Sequence, residues 1–326
     1  MTDFQEWQSG LHGIVSEINK RLLESIDTTQ KDLSRMAKYT IEAGGKRFRP
    51  LLTVLAYEIS CDKPFEDILD LAVGYELIHT ASLVHDDIID AANSRRGKPS
   101  LNAIDGINNA IVVGDYLFAK AYELGSRYGP EVSRIMANGS THLAEGQITE
   151  AMNLGNLEIS EDTYFDIISN KTARFFEACA LGATTAANAS ESIALNLKDF
   201  AYNLGMAFQV TDDILDVVGD TKKIGKPTFT DFRHNAITLP LIHAISKSGD
   251  DFKEELRHGE QTNDSASENK IREKIIETGS IDYSFSVAKK FTNKALNALK
   301  DTGKSPDLAL LVELGMSVME RIDEMQ

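Results

Sequence analysis

Cysteine is nearly missing from this chain of 326 residues, with Cys61 and Cys179 the whole complement. They lie far apart without metal-ligand spacing, so no disulfide framework is expected, and the pair reads as two buried free thiols in a reducing cytoplasm. Proline is scarce too, with none between Pro130 and Pro227, which leaves long stretches free to be helical. No apolar run approaches the roughly 18 residues that cross a bilayer. Residues 1–7 lack the basic-then-apolar pattern of an export signal, so a cytoplasmic protein is expected. Positive charge is in deficit, with 34 Lys and Arg against 50 Asp and Glu and a net charge of −16. That balance argues against nucleic acid or an anionic membrane surface as a general partner. An anionic substrate would have to be met by a local cluster of cations or by bridging metal ions.

What is present is helical spacing. In 66–91 the apolar residues Ile68, Leu69, Ala72, Tyr75, Ile78 and Leu83 are spread around a helix, and 162–187 and 192–218 read alike. A helix apolar on most sides lies inside a bundle. With no run of alternating residues and no βαβ pattern, the expected fold is all-α, a single multi-helix bundle forming one domain over 1–326. Breaks are expected where Gly and Pro concentrate, at 44–50, 95–99, 125–130 and 219–227. The polar stretch 247–269 reads as a surface connection between helices.

Two segments break the apolar rule. Residues 83–90 read LVHDDIID and 209–216 read QVTDDILD, each with DDxxD inside an otherwise apolar helix. Positions i and i+4 lie one above the other, ~6 Å apart along the axis. Asp86 and Asp90 therefore share a face with Asp87 beside them, as do Asp212 and Asp216 with Asp213. Stacked like charges destabilise a helix unless something compensates. Mg²⁺ is the natural compensator, taking one or two carboxylates plus waters and phosphate oxygens. Two such clusters on facing helices would clamp a diphosphate. The plainer alternative is a pair of solvated acidic faces; an EF-hand is excluded because its glycine and spacing are missing.

Two basic patches flank the first cluster. GGKRFRP at 44–50 holds Lys46, Arg47 and Arg49 beside a glycine turn, and SRRGKPS at 94–100 holds Arg95, Arg96 and Lys98. Arg forks suit phosphate oxygens, though either patch alone could be an ordinary solvated loop. His79 lies on the face of Asp86, ~10 Å toward the N-terminus, as a core histidine or a phosphate contact. GDTKKIGKP at 219–227 fails as a P-loop, because the gap is too long and Pro227 replaces the Ser or Thr.

Taken together, GGKRFRP, His79, LVHDDIID followed by RRG, Lys171–Thr172 and FQVTDDILD followed by GKP closely resemble the trans-prenyl diphosphate synthases, or polyprenyl synthetases. The resemblance runs in that family's order over about 44–242. It implies an all-α isoprenoid-synthase fold with a central cavity and a homodimer. It implies an enzyme that joins isopentenyl diphosphate head-to-tail to an allylic diphosphate, with a passing membrane contact for product release. By matching position, Asp86, Asp90 and Asp212 would ligate Mg²⁺, with Asp87, Asp213 and Asp216 in support. Arg95, Lys171, Thr172, Gln209 and Lys226 would hold the allylic diphosphate, and Lys46, Arg49, His79 and Arg96 the isopentenyl diphosphate. Two positions depart from the pattern: Ala236 stands where many members have Lys, and Gln147 and Glu150 stand where relatives often have Glu and Gln.

The same resemblance makes Ala81 and Ser82, one turn before Asp86, the floor for the growing chain. A bulky aromatic there tends to stop elongation early, so these small residues imply a product of about six or more isoprene units, from burial along the helix. Small residues could instead simply let helices pack closely. A short-chain farnesyl or geranylgeranyl diphosphate synthase is the nearest alternative. A terpene cyclase or a head-to-head synthase would leave the patch at Lys46–Arg49 without a purpose, and a non-catalytic partner subunit would have lost the aspartates. A di-iron carboxylate bundle, suggested by ExxH at Glu76–His79 and Glu255–His258, leaves aspartates and arginines unexplained.

Overall fold

The computed structural model describes residues 3–219, 228–262 and 265–323. Its regular structure is helical apart from one two-stranded hairpin, as the all-α expectation requires. The described residues group into two compact units, each drawn from separate stretches. The first takes Met1–Ser140, Phe176–Ala201 and Leu299–Leu314, and the second takes Thr141–Phe175, Tyr202–Ala298 and Gly315–Gln326. Among the described residues no helix is long and apolar enough to cross a membrane.

The first unit is built on α1 (Asp3–Ser25), α2 (Lys31–Ile41), α3 (Phe48–Ser60) and α4 (Leu69–Ile89). A hairpin of β1 (Ser94–Arg95) and β2 (Lys98–Pro99) follows, then α5 (Leu101–Asp105), α6 (Ile107–Gly125) and the start of α7 (Pro130–Met152). Helix α4 is buried without interruption from Leu71 to Ile78, as its all-round apolar pattern demands, and packs against α1, α3 and α6. Glycine sets how near α6 can come. A Cβ at Gly74 would sit 3.1 Å from the Ala121 carbonyl oxygen, and one at Gly114 would fall 2.1 Å from His85 Nε2. The hairpin pairs Ser94 with Pro99 and Arg95 with Lys98. Its loop residues Arg96 and Gly97 both have positive φ, 52° and 76°, the backbone of a type I′ turn. Strands this short leave no alternation to read.

The second unit contains the end of α7, α8 (Glu161–Ile168), a π-helical turn (Ser169–Ala173), the first residues of α9 (Arg174–Ala186) and the later half of α10 (Glu191–Val218). It continues with α11 (Thr230–Arg233), α12 (Leu239–Ser248), α13 (Asp250–Thr262), α14 (Ser265–Glu277) and α15 (Ser280–Ala298); α16 (Pro306–Asp323) follows. Its core joins Tyr164, Val210, Ile214, Phe232, Leu241 and Phe252. The described part of 247–269 corrects the sequence reading: it is almost all helix rather than a polar connection. Phe252 and Leu256 are buried, while a Cβ at Gly259 would lie 2.6 Å from Ile271 Cδ1. A stripe of one apolar residue per turn suffices to seat a helix whose other faces are charged.

Candidate active site

Helix α4 delivers the first cluster at its C-terminal end, where the peptide dipoles already present partial negative charge. Three carboxylates there are doubly disfavoured without a cation. The middle one is fixed: Asp87 is 4 % exposed and accepts 2.7 Å from Arg95 Nε, the residue that β1 positions. Asn102 Nδ2 donates to the Asp87 carbonyl. Burial pushes the Asp87 carboxyl up, and Arg95 opposes that shift. Asp86 is partly exposed and Asp90 is exposed.

The basic residues divide by burial. Arg47, at φ 55°, is only 5 % exposed. It donates to Glu76 at 2.6 Å, to Asn19 at 2.9 Å and to the Ile41 carbonyl at 3.2 Å. This guanidinium anchors the 44–47 turn. Arg49 is partly exposed and lies 4.7 Å over the Phe176 ring. Arg96 packs on Gly45, where a Cβ would come within 2.8 Å of its Nη1. Burial, with Arg49, Arg96, Arg95 and Arg47 nearby, holds His79 well below its usual range. The structure thus brings Arg49, His79, Arg95 and Arg96 into one electropositive region, with Lys46 exposed on the neighbouring turn. Ala81 is fully buried, and Ser82 donates to the His79 carbonyl at 2.8 Å. Eleven residues before Asp86, on its face of α4, fully buried Tyr75 donates 2.6 Å to the Ala178 carbonyl.

In the second unit the π-helical turn presents Lys171 and Thr172. Such single-turn insertions re-aim side chains and recur at functional sites. Thr172 donates to Gln209 Oε1 at 2.9 Å, and Gln209 Nε2 donates to Asp213 Oδ1 at 2.9 Å. Tyr164 donates to the other Asp213 oxygen at 2.6 Å. Burial drives the Asp213 carboxyl up to about 7; Tyr164 and Gln209 oppose this, while Asp212 and Asp216 add to it. Asp216 closes α11. It accepts from Thr230 N at 3.0 Å, Thr230 Oγ1 at 2.6 Å and Asp231 N at 3.0 Å. Asp212 is partly exposed. Lys171 forms an ion pair with Glu150. Lys226 lies outside the described residues.

A cavity in this unit is lined by Glu150, Tyr164, Lys171, Thr172, Gln209, Asp213, Asp231 and Ala236, among others. Sequence reasoning missed Asp231 and Tyr164. Burial pushes Asp231 well up, with Asp216, Asp213 and Glu150 adding and Lys171 opposing. No helical spacing links Asp231 to the cluster, and Tyr164 has the spacing of an ordinary core residue. A divalent cation fits this surplus of desolvated carboxyl groups. Among the described residues no three His, Cys, Asp or Glu converge as a ready-made cage.

A family model described as polyprenyl synthetase matches residues 30–278. An octaprenyl diphosphate synthase from Haemophilus influenzae is 31 % identical over 309 residues, 94 % of each chain. A short chain isoprenyl diphosphate synthase from Methanocaldococcus jannaschii is 37 % identical over 248 residues, 74 % of this chain and 75 % of that one. The crystal structure of a polyprenyl synthase from Caulobacter crescentus, complexed with calcium and isoprenyl diphosphate, superposes with a TM-score of 0.91 at 32 % identity over 97 % of both chains.

Proposed function

Because this chain belongs to the polyprenyl synthetase family, we propose that it condenses isopentenyl diphosphate head-to-tail onto an allylic diphosphate, making a trans-polyprenyl diphosphate of about six or more isoprene units, a length argued from burial along α4. The observation that carries the reading is the shared design of the two clusters. In each, the middle carboxylate is buried and hydrogen-bonded, at Asp87 and Asp213, while Asp86, Asp90 and Asp212 keep exposed surface. Relatives named for octaprenyl and heptaprenyl products support the longer chain.

Asp86, Asp90 and Asp212 would hold Mg²⁺, which supplies Lewis-acid charge to the diphosphate leaving group. Lys171, Thr172 and Gln209, with Arg95 and Lys226, bind the allylic diphosphate. Arg49, His79 and Arg96, with Lys46, bind isopentenyl diphosphate. The allylic C–O bond breaks with its electron pair going to the diphosphate. The isopentenyl double bond then attacks the cation, and a proton leaves to the released diphosphate. The protein acts as a homodimer in the cytoplasm.

The test is to incubate purified protein, Mg²⁺ and labelled isopentenyl diphosphate with each allylic primer in turn and size the products. No incorporation with any primer would sink the reading. Products that stop at farnesyl or geranylgeranyl length would favour the short-chain reading. Tyr75 supports that alternative, a fully buried ring ~16 Å below Asp86 along α4.

A further inference from the structure

The end of α7 runs close to the π-helical turn that carries Lys171. A Cβ at Gly146 would sit 2.5 Å from the Lys171 backbone nitrogen, so the helix can approach only because glycine stands there. One turn further on, Glu150 reaches the Lys171 ammonium as its ion-pair partner. Both side chains line the cavity that also holds Thr172, Gln209, Asp213 and Asp231. Among the described residues lining it, Lys171 is the one cation, against the carboxyl groups of Glu150, Asp213 and Asp231. Ala236 lines the same cavity and brings no charge to it.

We propose that Glu150 is a positioning residue that competes with the allylic diphosphate for Lys171. The proposal rests on the assignment of this cavity to the allylic diphosphate. A carboxylate already bound to the ammonium takes one of its three N–H donors and neutralises charge that a phosphate oxygen would use, so the pair loosens when substrate binds. Its side chains are 30 % and 28 % exposed, and water therefore screens the pair and keeps opening inexpensive. Glu150 lowers affinity for the allylic substrate and speeds release of pyrophosphate. Ala236 acts in the same direction, since it places no cation at its own position in the cavity.

The full chain with Mg²⁺ provides the test, through KM for both substrates and calorimetric binding of inorganic pyrophosphate. In Glu150→Gln, allylic KM and pyrophosphate Kd should each fall about fivefold, ~1 kcal/mol at 1.4 kcal/mol per decade. KM for isopentenyl diphosphate should not change, and Glu150→Asp should restore values near the original. A merely structural role would shift both KM values and kcat together. If Glu150→Gln does not fold, Glu150→Ala carries the test, because removing the carboxylate should lower the same two quantities. A folded variant with unchanged or raised allylic KM overturns the proposal. Wild-type protein that neither binds pyrophosphate nor makes product overturns the underlying assignment instead.

Discussion

The first aspartate cluster holds its middle carboxylate with a charge, and the second holds its own with neutral donors. Asp87 meets the Arg95 guanidinium; Asp213 meets a phenol and an amide, from Tyr164 and Gln209. The same five-residue motif thus sits in two electrostatic settings. A full positive charge offsets part of the desolvation at Asp87. Burial raises the Asp213 carboxyl to about 7, and its neutral hydrogen bonds offset only part of that. The third members differ as well, with exposed Asp90 ending α4 and Asp216 capping α11. A duplicated motif therefore need not mean duplicated roles.

The largest test of that comparison removes a proposed metal ligand from each cluster. Asp86→Ala and Asp212→Ala should each cut kcat/KM on the order of a hundredfold or more, the scale of losing a positioned electrostatic group. A variant that kept full activity would show that one cluster is dispensable. Product length should respond to α4 alone: Ala81→Phe should shorten the product on thin-layer chromatography, whereas an unchanged length would place the floor elsewhere.

Stability should separate the clusters further. Arg95→Ala leaves a buried carboxylate without its cation and should cost about 2 kcal/mol in denaturant unfolding, discounted because Arg95 is part-exposed. Tyr164→Phe removes one neutral hydrogen bond and should cost about 1 kcal/mol. Equal losses would erase the distinction.

The smallest expected effect is in pH. Folded Asp213 keeps its proton up to about pH 7, whereas an unfolded aspartate loses it near pH ~4. Between these values the folded state binds more protons, so in chelator-treated protein this group's contribution to stability falls as pH rises. Asp213→Asn should flatten that fall in melting temperature between pH 5 and pH 8, assay conditions set by the same two pKa values. An unaltered slope would place the titration on another group.

Much of the molecule was legible beforehand. Helical patterning predicted α4 and α10, and the aspartates, Arg49, His79, Arg95 and Arg96 stood out by type and spacing. The hairpin and α13 did not, since two-residue strands show no period and a narrow apolar stripe is masked by surrounding charge. Arg47 looked like its basic neighbours, yet it is buried on Glu76. Asp231 carried no signal, because its link to Asp216 passes through backbone amides of a short helix rather than any periodicity.

By itself the sequence determined the two acidic triads and the bundle around them, because i and i+4 share a face in any α-helix and apolar faces must be buried. Only the tertiary structure decided which carboxylate of each triad is buried and what holds it. Arg95 is 8 residues from Asp87 and Tyr164 is 49 from Asp213. Partners that far along the chain meet through packing, which no local pattern encodes.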